Sequence, residues 1–418
     1  MTLREMIKPL PYPLKQGIKY VYGLLPPRMR YGRVFWETYN FLQESQWWSR
    51  EKLEEYQMQQ LSKLLHHAYE NVPYYRRTFD EWGIKPKDIC NFDDMRKLPF
   101  LTKDIVRDNL EQLLARNYPR SKLRYVTTGG SLGTPLGFYE EKGVSDLREW
   151  AFMLMLWERV GFNIGARSVV LRGNVVRHAH KGKLWEYDPV SRSLILSSFH
   201  MNEDALREYV ARIRQFAPAF IQAYPSAITI LAEYMKTNRL EPFGSVKALL
   251  CGSENLYPWQ RALLEEVFRC RVYSWYGHTE KAVLAGECEE NSYYHIFPEY
   301  GFVEIIGKDG KPAKPGELGE IVATGFNNYA CPFIRYRTGD LAVVAADKRC
   351  SCGRNYQLIE RIEGREQEYL VAKDGSLVPL APVLFSIHDP EWSRVKNCLL
   401  YTSDAADDLL CVDLGGRR

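Results

Sequence analysis

Between Arg167 and Tyr276 short β-type apolar runs alternate with amphipathic helical stretches, and no other feature of the chain constrains its fold as much. The run Ser168 to Leu171 opens the series. A helix follows from an Asn202 cap and carries Leu206, Tyr209, Val210, Ile213 and Phe216 on one face. Strand Ala219 to Ala223 comes next, then a helix after Tyr224-Pro225-Ser226 and strand Val246 to Leu250. A helix with Pro258 near its start leads into strand Arg271 to Trp275. Strand–helix–strand order of this kind predicts an α/β fold with a largely parallel sheet and right-handed crossovers. Ligands in such sheets sit beyond the carboxyl ends of the strands, so site residues are sought after Ala223, Cys251 and Trp275.

The flanking segments differ in texture. From Gln43 to about Asp108 the pattern is helical, with Leu53, Tyr56, Leu61, Leu64 and Leu65 on one stripe and Pro73, Gly83, Pro86 and Pro99 as punctuation. From Phe302 through Val344 short strands with Gly and Pro turns suggest a smaller β-rich subdomain. With 418 residues and 45% hydrophobic content the chain is long enough for more than one domain. Its 56 Lys and Arg against 52 Asp and Glu leave a net charge of +4 without a long like-charged block. That balance disfavours a dedicated nucleic-acid or membrane-surface protein and points to a small-molecule partner. Nine cysteines, an odd number and mostly isolated, read as thiols or metal ligands in a cytoplasmic protein. The longest apolar stretch, Ala151 to Trp157, is too short for membrane insertion, and the N-terminus lacks an apolar signal core.

Three motifs carry chemistry. Thr127-Thr128-Gly129-Gly130-Ser131-Leu132-Gly133-Thr134-Pro135 is rich in glycines that let backbone N–H groups approach a polyphosphate, although an ordinary glycine-rich hairpin has the same composition. It is neither a Walker A loop nor a dinucleotide fingerprint. Tyr276-Gly277-His278-Thr279-Glu280 follows a strand, where a carboxylate can hold Mg²⁺ or simply favour a helix N-terminus. In Tyr336-Arg337-Thr338-Gly339-Asp340 the Asp can accept hydrogen bonds from a ribose diol or belong to a plain β-turn.

In this order and at these separations the three segments resemble the adenylate-forming superfamily of acyl-CoA synthetases, and within it the phenylacetate-CoA ligase branch with its CapK-like and coenzyme F390 synthetase-like members. The resemblance runs from about Leu61 to Val395. It includes His67-Ala68-Tyr69, Val72-Pro73-Tyr74-Tyr75, Leu98-Pro99-Phe100-Leu101-Thr102-Lys103, Tyr224-Pro225-Ser226, Gly252-Ser253-Glu254, Arg335 to Asp340 and Gly364-Arg365. It implies a large N-terminal domain of mixed sheets, helices and a small β-rich subdomain, followed by the start of a C-terminal α/β domain. The corresponding divisions are a helical subregion 1–110, a nucleotide- and acyl-binding core 111–367, a truncated C-terminal piece 368–397 and a tail 398–418.

The resemblance also implies roles. Thr127, Thr128, Gly129, Gly130, Ser131, Gly133 and Thr134 would hold ATP phosphates, and Gly252, Ser253 and Glu254 would pass alongside adenine. Tyr276, Gly277, His278 and Thr279 would complete the nucleotide pocket, Glu280 would bind Mg²⁺, Asp340 the ribose hydroxyls, and Arg365 would reach the nucleotide. Leu132 replaces a hydroxyl residue usual in the loop, and Glu368 stands where an Asp is usual at the interdomain hinge. Tyr224, Tyr273 and Trp275 are candidates for an acyl pocket or for core. The implied reaction joins a small aromatic or apolar carboxylate to AMP and then to coenzyme A, with a link to polysaccharide biosynthesis. An adenylating acyltransferase to an amine or hydroxyl, or a nucleotide-binding protein without adenylation, are the alternatives. Oligomerisation as a homodimer stays open. No side-chain nucleophile is needed, and His278 reads as a hydrogen-bonded pocket residue.

Cys288, His295, Cys350 and Cys352 form Cys-x6-His and Cys-x-Cys halves that could meet as a structural S₃N zinc site. Four unrelated residues are the alternative, and similar cysteines in the resembled branch favour zinc. The segment Cys398 to Asp407 reads as a translation of the transposon end used in sequencing-library adapters, so native sequence is expected to stop near Asn397. The resembled family carries a lysine in its C-terminal domain that serves adenylation, and neither Lys373 nor Lys396 matches that motif. As written, the chain is expected to bind nucleotide and adenylate poorly.

Overall fold

The computed structural model describes residues 10–128, 135–174, 176, 182–347, 349–365, 369–371 and 377–379. Its first part is helical: α1 (Tyr12–Leu24), α2 (Pro27–Ser45), α3 (Arg50–Asn71), α4 (Pro73–Glu81) and α5 (Lys103–Asp108). Prolines at the first position of α2 and α4 and the second of α1 supply the helical φ where no N–H partner is needed. Ser49 caps α3 by accepting from the Lys52 amide, and the face with Leu53, Leu61, Leu64, Leu65 and Ala68 is buried. A separate hairpin, β1 (Leu123–Thr127) and β2 (Gly137–Glu141), pairs Thr127 with Gly137 and so brackets the glycine loop. The α6 helix (Ser145–Glu158) contains the apolar stretch Ala151–Trp157, every residue of which is buried, as expected of a helix covered all round.

The alternating region keeps the order read from the sequence, with two further strands after the first. β3 (Ser168–Leu171) leads to the short strands β4 (Trp185–Asp188) and β5 (Ser193–Leu196). Then come α7 (Glu203–Phe216), capped by Asn202 on the Ala205 amide, β6 (Phe220–Ala223), α8 (Pro225–Thr237), β7 (Ala248–Gly252), α9 (Pro258–Phe268) and β8 (Arg271–Gly277). Strands β5, β3, β6, β7 and β8 are parallel neighbours in that order, with β4 antiparallel at the edge. Side chains alternate across this sheet. Val169, Ile221, Leu249 and Val272 pack against α7, α8 and α9, whereas Phe220, Ala248 and Leu250 pack against α2 and α6.

The β-rich region does not stand apart. β9 (Leu284–Gly286) turns back antiparallel on β8, and β10 (Tyr294–Ile296), β14 (Gln357–Arg365), β13 (Tyr336–Val344), β12 (Leu318–Gly325) and β11 (Gly301–Ile306) extend the same sheet outward. Twelve of the described strands thus form one sheet, parallel from β8 to β5 with β4 antiparallel at that edge, and antiparallel from β8 outward to β11. Among the described residues two short strands, β15 (Tyr369–Val371) and β16 (Leu377–Pro379), pair with each other and with no other strand.

Candidate active site

The site builds on the carboxyl ends of β7 and β8. The Tyr276 hydroxyl donates to Asp340 Oδ2 at 2.6 Å, which brings the two motifs together across 64 positions of sequence. Burial first, and then the Asp340 carboxylate, push the Tyr276 phenol well above its ordinary pKa, so it stays a donor. Glu280 lies beside both. One of its oxygens is 3.0 Å from His278 Nδ1 and the other accepts from the Tyr336 hydroxyl at 2.7 Å. Burial alone would raise the Glu280 pKa, but the His278 imidazole and the Tyr336 hydroxyl outweigh it and hold the carboxyl at about 2. Burial opposes protonation of His278, yet the facing carboxylate raises its pKa above the usual imidazole value. His278 Nε2 is buried without a protein partner among the described residues. Thr279 is exposed beside them.

At the end of β7, Gly252 faces Trp275 so closely that a Cβ there would lie 2.4 Å from the indole nitrogen. Only glycine allows that approach. Ser253 takes a left-handed backbone (φ 69°) and accepts from Arg172 at 2.9 Å. Glu254 accepts from the amide and hydroxyl of Ser226 at 2.9 and 3.0 Å, which caps α8 across the strand ends. Arg172, immediately after β3, lies over the rings of Tyr224 and Trp275. Its guanidinium pairs with no carboxylate among the described residues. Tyr273 and Trp275 instead line a cavity of about 10 Å³ with Leu156, Trp157, Val160 and Leu250. That space holds no more than a single water, so Tyr273 belongs to the packing against α6.

Behind the site, Lys281 also has a left-handed backbone (φ 53°). Its ammonium reaches Glu140 at 2.9 Å, Asp146 at 2.8 Å and Glu149 at 3.4 Å. Glu140 and Asp146 are bridged in turn by Arg124 of β1. This cluster ties the hairpin and α6 to the residue next to Glu280. Of the loop residues, Thr128 is described: its hydroxyl accepts from the Leu136 amide at 2.9 Å. Thr127 ends β1. Gly129, Gly130, Ser131, Leu132, Gly133 and Thr134 lie outside the described residues, as do Glu368, Lys373, Lys396 and the tail. The Arg365 backbone pairs with Asp340 between β14 and β13.

Cys288, His295, Cys350 and Cys352 converge, with all four ligand atoms within 4.8 Å of one another. Cys288 Sγ is 3.5 Å from Cys350 Sγ, and Cys352 Sγ is 3.4 Å from His295 Nε2. These separations are too long for a disulfide and of the length found between ligand atoms of one tetrahedral metal site. His295 is fully buried and its Nδ1 faces the Tyr293 carbonyl at 2.9 Å, which leaves Nε2 free to ligate. The Glu290 and Cys352 amides point at Cys288 and Cys350, each at 3.4 Å. Three thiols and one oriented imidazole fit a closed zinc site.

Sequence reasoning missed Tyr336, Arg172 and Lys281 as members of these groups. Tyr336 lay within a quoted motif, but nothing local marks a tyrosine whose partner is 56 positions away.

No family model matches the chain. It is 25% identical over 358 residues to protein CapK of Staphylococcus aureus, covering 85% of this chain and 76% of that protein. It is 29% identical over 349 residues to phenylacetate-coenzyme A ligase of Escherichia coli strain K12, covering 79% and 75%. Among solved structures, 2-hydroxyisobutyryl-CoA ligase in a postadenylation state superposes with a TM-score of 0.64 at 19% identity, covering 86% of this chain and 75% of that one. An open conformation of that ligase gives 0.63.

Proposed function

We propose that this chain, a relative of phenylacetate-coenzyme A ligases and CapK with the fold of a CoA ligase, activates a small carboxylic acid with ATP. The acid would be joined first to AMP, releasing pyrophosphate, and then transferred to the thiol of coenzyme A. One observation carries the reading: Tyr276, His278, Glu280, Tyr336 and Asp340 meet at the end of β8, where the sheet changes from parallel to antiparallel. In this reading Asp340, oriented by Tyr276, accepts from the ribose hydroxyls. Gly252 and Ser253 give the base a flat approach, and Thr127 and Thr128 bring the loop to the phosphates. Glu280 suits Mg²⁺ as a buried carboxylate held ionised. The bound ion would neutralise phosphate oxygens, and positioning supplies the rest of the rate. An aromatic or apolar acid would meet Tyr224 and Trp275. Zinc on Cys288, His295, Cys350 and Cys352 would be structural.

The test is pyrophosphate release from ATP by the purified chain across a panel of aryl and alkyl carboxylates, with and without coenzyme A. Carboxylate-dependent release with CoA-dependent AMP formation is expected, at a low rate, since neither Lys373 nor Lys396 matches the lysine that serves adenylation in the resembled family. Release that ignores coenzyme A and follows an amine or hydroxyl acceptor would favour an acyltransferase. ATP binding with no release for any acid would leave a nucleotide-binding protein without adenylation.

A further inference from the structure

The α1 helix is inside out. Among its described side chains, the exposed ones are Leu14, Gly17, Tyr20, Val21 and Leu24, spaced at i, i+3, i+6, i+7 and i+10, and none of these is polar or charged beyond the Tyr20 hydroxyl. Leu24 is 84% exposed and Val21 66%. Polar and backbone contacts hold the other side to the protein. Lys19 pairs with Asp188 at 3.0 Å, Tyr22 donates to the Arg30 carbonyl at 2.7 Å, and a Cβ on Gly23 would lie 2.7 Å from the Pro189 carbonyl oxygen. A surface helix ordinarily turns its apolar stripe inward. Met29, 68% exposed just beyond Pro26-Pro27, extends the patch.

The sequence that carries this patch is basic, although Lys19 and Arg33 are paired with Asp188 and Glu37. Residues 1–33 contain seven Lys and Arg and the single acid Glu5, a net of +6, so the remaining residues carry −2 of the chain's +4. Lys15 and Arg28 flank the stripe and form no ion pair among the described residues. We propose that α1 lies flat on an anionic phospholipid surface, with Leu14, Val21 and Leu24 in the headgroup–acyl boundary and the basic residues over the headgroups. Thirteen residues span about 20 Å, and no described helix is long and apolar enough to cross a membrane, so the helix rests in the interface. A second copy fits less well, because mating two such faces would bring Lys15 and Arg28 of one copy against those of the other, and neither forms an ion pair among the described residues.

The proposal is tested by flotation of the full chain with phosphatidylcholine vesicles and with vesicles half phosphatidylglycerol. Binding is expected to the anionic vesicles, weakening as NaCl is raised. The double substitution V21D/L24D should cut partitioning about tenfold or more while leaving the thermal melt unchanged, since both residues are exposed. K15E/R28E, a second variant, should weaken binding to the anionic vesicles by a similar factor. Failure to bind either vesicle overturns the proposal, as does vesicle binding that survives V21D/L24D. A dimer in sedimentation equilibrium that V21D/L24D splits, without vesicle binding, would assign the face to a second copy instead.

Discussion

At the scale of single residues, the site rests on a few contacts whose partners are far apart in sequence. Tyr276→Phe removes the donor to Asp340 and leaves a carboxylate 8% exposed without that partner. The expected cost is about 1–3 kcal/mol of stability, with weaker nucleotide binding. Denaturant unfolding together with calorimetric titration of ATP checks both. Gly252→Ala puts a methyl against the Trp275 indole and should cost about 1–3 kcal/mol. Its ATP affinity should fall as well, and an unchanged affinity would dissociate Gly252 from the base. The readable residues were those in compact motifs: Gly252, Tyr276, Glu280 and Asp340 stand in runs that advertise themselves. Arg172 and Lys281 did not, because a lone cation reveals nothing until the fold supplies Tyr224 and Trp275 on one side or Glu140, Asp146 and Glu149 on the other.

At the scale of elements, the hairpin β1–β2 joins no other sheet among the described residues and is anchored to the site by the Lys281 cluster. Lys281 is a buried cation shared by three carboxylates, so Lys281→Met leaves uncompensated charge and should cost about 3–5 kcal/mol. Because the hairpin carries Thr127 and Thr128, ATP binding should fall in parallel. Limited proteolysis would then cut between β1 and β2 faster than in the unaltered chain. Periodicity located the parallel elements well: Ser168–Leu171 is a strand and Asn202 is the cap of α7. The strand expected from Val246 begins at Ala248, since Val246 belongs to the preceding turn, its amide bonded to the Phe243 carbonyl. Ala151–Trp157 gave no period to read because α6 is buried on every side. Nor did alternation in Phe302 to Val344 say which sheet edge those strands would join; pairing partners are a tertiary choice.

At the scale of the whole molecule, two features close the antiparallel half. One is the cysteine–histidine cluster, and beside it Arg354 donates from Nη1 to both carboxylate oxygens of Glu289 and from Nε to Gln46 Oε1, which ties the cluster to the helical region. Metal analysis of the purified chain should find one zinc per chain. Chelation or Cys352→Ser should lower the melting temperature by several degrees, about 2–4 °C per kcal/mol lost for a domain of this size. Chain without metal and with an unchanged melt would reduce the cluster to four neighbouring side chains. The other feature is the turn of the sheet at β8–β9, and it has a temporal meaning. During synthesis the parallel strands through Gly277 leave the ribosome first, and a domain's early part can compact as it emerges. Glu280 then waits for Tyr336, and Tyr276 for Asp340, some sixty codons downstream. On the proposed reading of Asp340, a nascent chain halted in that interval would hold a nearly complete parallel layer and no ribose acceptor, so nucleotide would not act as a folding ligand until β13 was made.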